Sequence, residues 1–228
     1  MKNFFRLFII LFAVSTLSAA EFYTSFAEGK WNKDLFQIVK APRNSGTGAM
    51  IQHRGHIANQ VPEGLTEKEL ITSNETYCSM LLKEKFSGNM TVSAKMSFDH
   101  RMAPLIVIAP ELGVSADRKH PELREHLEIV LYDQGINIWH HKYINGRQSW
   151  YRLAYLTSSF SPKKIYDLSV SIRHTPKGWQ LIIRCDGREF GCAVPAGFKT
   201  DGFFTGITGC EGINRFYDLK VTATPVKL

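Results

Sequence analysis

Apolar and polar residues alternate strictly over several stretches of this chain. Met90, Val92, Ala94, Met96 and Phe98 are interleaved with Thr91, Ser93, Lys95 and Ser97. A period of two puts every second side chain on one face, so the stretch predicts a strand with one buried side. Tyr166, Leu168, Val170 and Ile172 repeat the pattern against Asp167, Ser169, Ser171 and Arg173. Trp179, Leu181, Ile183 and Cys185 continue it, and Tyr217, Leu219 and Val221 form the inward face of a closing strand. Turn residues separate these runs. Asp133-Gln134-Gly135 divides Glu128–Tyr132 from Ile136–His141, and Asn145-Gly146, Pro176-Lys177-Gly178 and Asp186-Gly187 follow. Asn-Gly and Asp-Gly tolerate the positive φ that tight hairpins need. The segment from about residue 125 to 194 therefore predicts an antiparallel meander within an all-β sandwich, with a closed barrel as the alternative. Gly191 and Pro195 predict that the last of these strands ends early, at an edge. Helix signals are confined to Glu63–Leu70 and to Pro121–Glu125, one turn each. Residues 110–121 are expected to project as a charged loop.

The N-terminus has a different pattern. Lys2 and Arg6 precede an apolar run, Leu7–Leu17, broken only by Ser15 and Thr16, and Ser18-Ala19-Ala20 leads to Glu21. Positive region, apolar core and small-residue exit in this order predict a cleavable secretion signal over residues 1–20. The run falls short of the roughly 20 apolar residues that span a bilayer, and no later segment is long and apolar enough to cross one. The expectation is a single β-sandwich domain over residues 21–228, secreted or periplasmic, with no transmembrane segment once the signal is removed.

Charge and cysteine content refine this picture. The formal net charge is +7, two less without Lys2 and Arg6. An exported protein with a modest positive balance is suited to acidic glycans or anionic surface polymers, although the same balance fits a solvated surface with no particular partner. Basic residues form no dense stripe with interleaved aromatics, so nucleic acid is not expected as a partner. Cys78, Cys185, Cys192 and Cys210 permit two disulfides in an oxidising compartment, with three connectivities. Cys78 to Cys210 would tie an early strand to a late one. A bridge between Cys185 and Cys192 is weakened if Asp186-Gly187 is the turn, because Cys185 then lies near Arg188. The scattered cysteines have no zinc-site spacing. Asn74-Glu75-Thr76 and Asn89-Met90-Thr91 match the glycosylation sequon.

The C-terminal third carries a resemblance. Its residues run from Trp179-Gln180-Leu181-Ile182-Ile183 through Cys185-Asp186-Gly187-Arg188 to Gly202-Phe203-Phe204-Thr205-Gly206-Ile207 and Asn214-Arg215-Phe216-Tyr217-Asp218-Leu219-Lys220-Val221. This succession resembles the concanavalin A-like lectin/glucanase superfamily, in particular its laminin-G-like and keto-disaccharide-hydrolase-like members. The resemblance implies an all-β, two-sheet antiparallel jelly-roll sandwich whose concave face or loop end engages a glycan. It also implies that the last strand pairs back onto the first strands of the mature chain, with Tyr77–Phe86 and Met90–Phe98 as early partners. The superfold hosts lectins, hydrolases, lyases and adhesive modules, so it does not choose among them.

Glucanases of the superfamily carry Glu-x-Asp-x-Glu or Glu-x-Asp-x-x-Glu on one strand face, and neither spacing occurs here. Glu125 and Glu128 are three apart and belong on opposite faces. Glu122-Leu123-Arg124 resembles the Glu-Leu-Arg motif of some alginate lyases but lacks its companion motifs. The densest binding candidate is Trp139, His141, Tyr143 and Trp150, since aromatic faces stack on sugar rings and histidine bonds hydroxyls or carboxylates. Trp139 and Trp150 also read as core residues. His100, Arg101, His141 and Tyr143 are the weak candidates for catalysis. His140 and His141 point apart in a strand, so no metal site is predicted, and no cofactor. The leading expectation is a carbohydrate-binding protein that recognises extracellular polysaccharide. The alternatives are a glycoside hydrolase or polysaccharide lyase with a non-standard site, and a structural envelope protein.

Overall fold

The computed structural model describes residues 19–44, 47–72, 76–99, 103–144 and 147–226. Most of the expected signal, His100, Arg101, the Asn74 sequon position and the Asn145-Gly146 turn lie outside the described residues. In the first half the strands are β1 (Ala20–Ser25), β2 (Phe36–Val39), β3 (Met50–Gln52), β4 (Ile57–Asn59), β5 (Cys78–Leu82), β6 (Asn89–Phe98), β7 (Pro104–Ala109), β8 (Leu112–Val114) and β9 (Pro121–Leu123). The second half adds β10 (His126–Tyr132), β11 (Gly135–Ile144), β12 (Arg147–Thr157), β13 (Tyr166–Thr175), β14 (Gly178–Cys185), β15 (Arg188–Ala193), β16 (Phe204–Gly209), β17 (Asn214–Phe216) and β18 (Asp218–Thr224). A short helix, α1, spans Glu67–Thr72.

Two antiparallel sheets form the sandwich. One has seven strands in the order β12-β11-β10-β7-β16-β5-β2. The other runs β15-β14-β13-β6-β17-β4-β3, with β18 pairing both β6 and β1. This is the two-layer jelly roll rather than a closed barrel. The alternating residues meet between the sheets: Met90, Val92, Ala94, Met96 and Phe98 pack with Ile106, Ile108, Leu127, Ile129, Leu168, Val170, Leu219 and Val221 in one buried cluster. β18 closes onto β1, with Ala223 opposite Ala20, and onto β6, as the resemblance implies, but the other expected partner, Tyr77–Phe86, lies in the opposite sheet, where β5 pairs with β2 and β16. Asp186 and Gly187 both have positive φ, 51° and 74°, the geometry of the tight hairpin expected there. β15 is an edge strand, and it stops before Pro195.

Several expectations are corrected. The predicted meander is divided: β10–β12 lie in one sheet and β13–β15 in the other, because β13 pairs with the distant β6. Alternation marks a strand's buried face but not its sheet. Pro121–Glu125 is no helical turn; its first three residues form β9. Residues 110–121 do not project as a free loop either, since β8 pairs with β9. Leu112 and Leu123 of this hairpin cover part of the outer face of the seven-stranded sheet, against Leu105, Val107 and Leu81. The helical turn predicted over Glu63–Leu70 lies slightly later. Thr66 and Glu69 cap it reciprocally, Thr66 N donating to Glu69 Oε2 at 2.8 Å and Glu69 N to Thr66 Oγ1 at 3.3 Å.

The disulfide expectation fails as well: all four cysteines are free. Cys185 lies opposite Arg188, and Cys192 opposite Leu181. Four residues of strand separate the two thiols, about 13 Å, beyond the reach of a disulfide. Cys78 follows Met80 and Leu82 toward the core, whereas Cys210 packs on the outer face of the same sheet. Burial pushes the Cys78 and Cys185 thiols up to about 12 and the Cys192 thiol to about 11. They are therefore poor nucleophiles at neutral pH.

Candidate functional site

The seven-stranded sheet places the two adjacent histidines of β11 on opposite faces, and each meets a glutamate. Counting outward from the Tyr132–Gly135 hairpin puts His126 opposite His141 and Leu127 opposite His140. His141 therefore shares the outer face with His126 and Glu128. Its Nε2 lies 3.1 Å from Glu128 Oε2. His126 Nε2 lies 3.3 Å from Glu128 Oε1, and the two imidazoles stack with centroids 4.8 Å apart. The Tyr77 hydroxyl donates to Glu128 Oε1 at 3.0 Å, and Arg43 approaches the same oxygen at 3.7 Å. The Arg43 guanidinium lies over the Tyr77 ring.

Glu128 is only 4% exposed. Burial pushes its carboxyl up, but His141, His126 and Arg43 outweigh burial and hold it well below the usual carboxylate range. It is ionised at neutral pH. Burial drives the Tyr77 hydroxyl well above its ordinary value, with Glu128 adding to the shift, so Tyr77 stays a donor. Burial also lowers His126 and favours its neutral form. Ligand nitrogens and oxygens of His126, Glu128 and His141 fall within 4.8 Å of one another, the spacing of a group able to hold a metal ion.

A cavity of about 210 Å³ opens over this network, lined by Arg43, Glu128, Trp139, His141, Trp150 and Glu211 among others. Glu211 Oε2 is buried without a hydrogen-bond partner. Burial, reinforced by Glu128 and opposed by Arg43, pushes the Glu211 carboxyl up to about 7. Two carboxylates on one cavity thus have opposite ionisation tendencies.

Beside the cavity the sheet edge carries an exposed platform. A bulge in the β11–β12 pairing falls between Ile138 and Trp139. It leaves Trp150 opposite His141, Arg152 opposite Trp139 and Tyr155 opposite Asn137, all on the outer face. Trp150 is 58% and Tyr155 57% exposed. The Arg152 guanidinium lies 4.3 Å from the Tyr155 ring centroid and 6.0 Å from that of Trp139. Trp150 lies near parallel to the His141 ring.

On the inner side of the same strand pair, His140 links two other groups. Its Nε2 donates to Glu125 at 2.8 Å, and its Nδ1 accepts from the Tyr151 hydroxyl at 2.5 Å. Glu125 can only accept, which fixes the tautomer. Burial lowers His140 in spite of Glu125.

Three residues singled out from the sequence, Trp139, His141 and Trp150, thus line one cavity. Tyr143 is opposite Gln148 near the end of β11, and its backbone alone is described. His100 and Arg101 are outside the described residues; their neighbour Asp99 makes a bidentate pair with Arg215 at 2.5 and 2.9 Å. Glu125 and Glu128 take opposite sides of the sheet, as their spacing requires. Sequence reasoning missed His126, Arg43, Tyr77, Glu211, Arg152 and Tyr155. Register counting from the Asp133 turn finds His126. The bulge hides Tyr155, because residues 152 and 155 break the alternation. Arg43, Tyr77 and Glu211 come from loops or strand ends that leave no periodic signal.

No family model matches the chain, and no curated protein matches it. Solved structures do. A winged bean acidic lectin complexed with methyl-α-D-galactose aligns over 92% of this chain and all of its own, at 8% identity and a TM-score of 0.55. β-Agarase A in complex with oligoagarose aligns over 83% of this chain and 84% of its own, at 11% identity and a TM-score of 0.54. The CBM2 module of the evolved Dit of Lactobacillus casei BL23 phage J-1 aligns over 92% and 98%, at 12% identity and a TM-score of 0.53. At these identities the likeness speaks to architecture: the chain has the concanavalin A-like jelly-roll fold.

Proposed function

We propose that this protein recognises polysaccharide on the outer face of its seven-stranded sheet. The observation that carries the reading is the exposed row of Trp150, Arg152 and Tyr155 beside the Glu128 cavity. Large aromatic faces left in water are unfavourable unless a partner covers them, and sugar rings present the apolar C–H faces that stack on them. Arg152 and Arg43 add donors suited to hydroxyls and to the carboxylates of an acidic glycan. The similar folds of a lectin and an agarase support carbohydrate as the ligand class. No helix among the described residues is long and apolar enough to cross a membrane, and export through residues 1–20 would bring this face to extracellular or periplasmic polymers. The test is a glycan array with wild type and Trp150→Ala. Binding that Trp150→Ala reduces at least about tenfold supports the reading, since stacking is worth on the order of 1–3 kcal/mol per ring. Absence of binding to any glycan rejects it and leaves the structural envelope role.

A second reading, glycoside cleavage, is favoured by one observation. Glu128 and Glu211 line the same cavity, one held ionised and the other held protonated up to about pH 7. Pairs of carboxyls pushed apart in this way divide acid and base roles. Release of reducing ends that is lost in both Glu128→Gln and Glu211→Gln would establish it, and absence of release would leave a binding module.

A further inference from the structure

We propose that His126 Nε2, the Glu128 carboxylate and His141 Nε2 form a binding site for a first-row divalent cation, with zinc matching the donor set. The inference does not rest on the polysaccharide reading. It starts from a donor that is missing. His126 Nδ1 lies 3.2 Å from the carbonyl oxygen of Arg124, and His126 Nε2 lies 3.3 Å from Glu128 Oε1. Both partners are acceptors, whereas a neutral imidazole has one N–H. If Nδ1–H donates to Arg124, a lone pair on Nε2 faces a carboxylate oxygen in a site that is 1% exposed. A cation between Nε2 and the carboxylate turns that repulsion into ligation. The Arg124 carbonyl then plays the part that outer-shell acceptors play at metal sites, fixing tautomer and ring orientation.

The remaining geometry agrees. Glu128 offers its other oxygen to His141 Nε2 at 3.1 Å. The two imidazoles thus face different oxygens of one carboxylate, and the three ligand atoms lie within 4.8 Å of one another, a spacing that small side-chain shifts bring to metal–ligand bonds of about 2 Å. The ligands sit on paired strands, opposite or adjacent in register, so the sheet holds them without a mobile loop. Two imidazoles and a carboxylate are a donor set that first-row cations favour over calcium or magnesium. Glu128 and His141 line the cavity, so a bound ion is reached from it. Arg43 opposes a cation at 3.7 Å from Glu128, but Glu211 lines the same cavity with an unpartnered buried oxygen and supplies a second carboxyl against that charge. The stacked surface pair His53–His56 is a competing place for zinc to bind and serves as the control.

Untagged full-length protein, stripped with chelator, is mixed with Zn2+, desalted and measured for bound metal. One equivalent should be retained. His126→Gln and His141→Gln should each weaken uptake by at least about 100-fold, beyond what loss of an outer-shell partner produces. His53→Ala should leave uptake unchanged. No stoichiometric uptake by the wild type overturns the proposal, as does uptake that His53→Ala abolishes. If either glutamine variant does not fold, X-ray absorption of the Co2+-loaded wild type decides. Two imidazole ligands with oxygen support the site, and fewer than two overturn it.

Discussion

Replacing Glu128 by Gln keeps the shape of the side chain and removes its charge, and the consequences follow from its partners. One carboxylate oxygen accepts from the Tyr77 hydroxyl, with His126 Nε2 and Arg43 nearby, and the other accepts from His141. The amide NH2 of Gln is least costly on the His141 side. His141 must then present a lone pair at Nε2 and carry its proton on Nδ1. That nitrogen is buried and has no hydrogen-bond partner, so a buried donor is left unsatisfied, at about 1–3 kcal/mol. The bond from Tyr77 loses its charge assistance, roughly another 1 kcal/mol. Arg43 is part-exposed and recovers its hydration, so it adds little. The total is about 3 kcal/mol, at the low end of the range for breaking a buried charge pair. At roughly 2–4 °C per kcal/mol for a domain of this size, Tm should fall by about 6–12 °C. Urea denaturation at pH 7 in chelating buffer should show the loss as a lower midpoint with an unchanged slope. The folded-state carboxyl is depressed, so its contribution is present above the ordinary carboxylate value and lost as pH falls through the folded value. The gap between variant and wild type should therefore begin to narrow below about pH 4 and close as pH falls through the folded value. A variant within about 0.5 kcal/mol of wild type at pH 7 would refute the reasoning, and Glu189→Gln, which breaks an exposed pair with Arg184, sets that baseline.

Other outcomes are expected. Glu211 behaves with the opposite sign: its carboxyl is raised to about 7, so the folded protein keeps a proton that the unfolded chain releases, and stability falls as pH rises from the ordinary carboxylate value to about 7. Glu211→Gln should stabilise the protein by about 1–2 kcal/mol at pH 8, after allowance for solvent screening, and by little at pH 5, as read by denaturation at both pH values. Gly206→Ala should destabilise by several kcal/mol or abolish soluble expression, because a Cβ there would lie 2.2 Å from the backbone oxygen of Met80. Thiol titration without reductant should count all four cysteines in the unfolded protein and few in the folded one, and a band shift between reduced and non-reduced gels would contradict the free thiols. Tyr151→Phe leaves His140 Nδ1 without its donor and should cost about 1 kcal/mol by the same denaturation assay, with glycan binding at the outer face unchanged.

The sequence by itself determined the strands with one buried face. Met90–Phe98 and Tyr166–Arg173 declare it by alternation, because burial against an opposing sheet demands a period of two. The Asp186-Gly187 hairpin was legible for a related reason: its turn needs positive φ, and few residue types supply it. The same period placed Glu125 and Glu128 on opposite faces and separated His140 from His141. What alternation cannot express is which strands become neighbours across long stretches of chain. Only the tertiary structure split β10–β12 from β13–β15, turned Pro121–Leu123 into a strand by giving it β8 as a partner, and set Cys78 and Cys210 on opposite faces of one sheet. The site depended on the same non-local decisions. Arg43 and Tyr77, distant in sequence, converge on Glu128, and a single bulge brings Tyr155 onto the face of Trp150. A local pattern records what a residue's own strand buries, whereas a site of this kind is made by register and packing between strands.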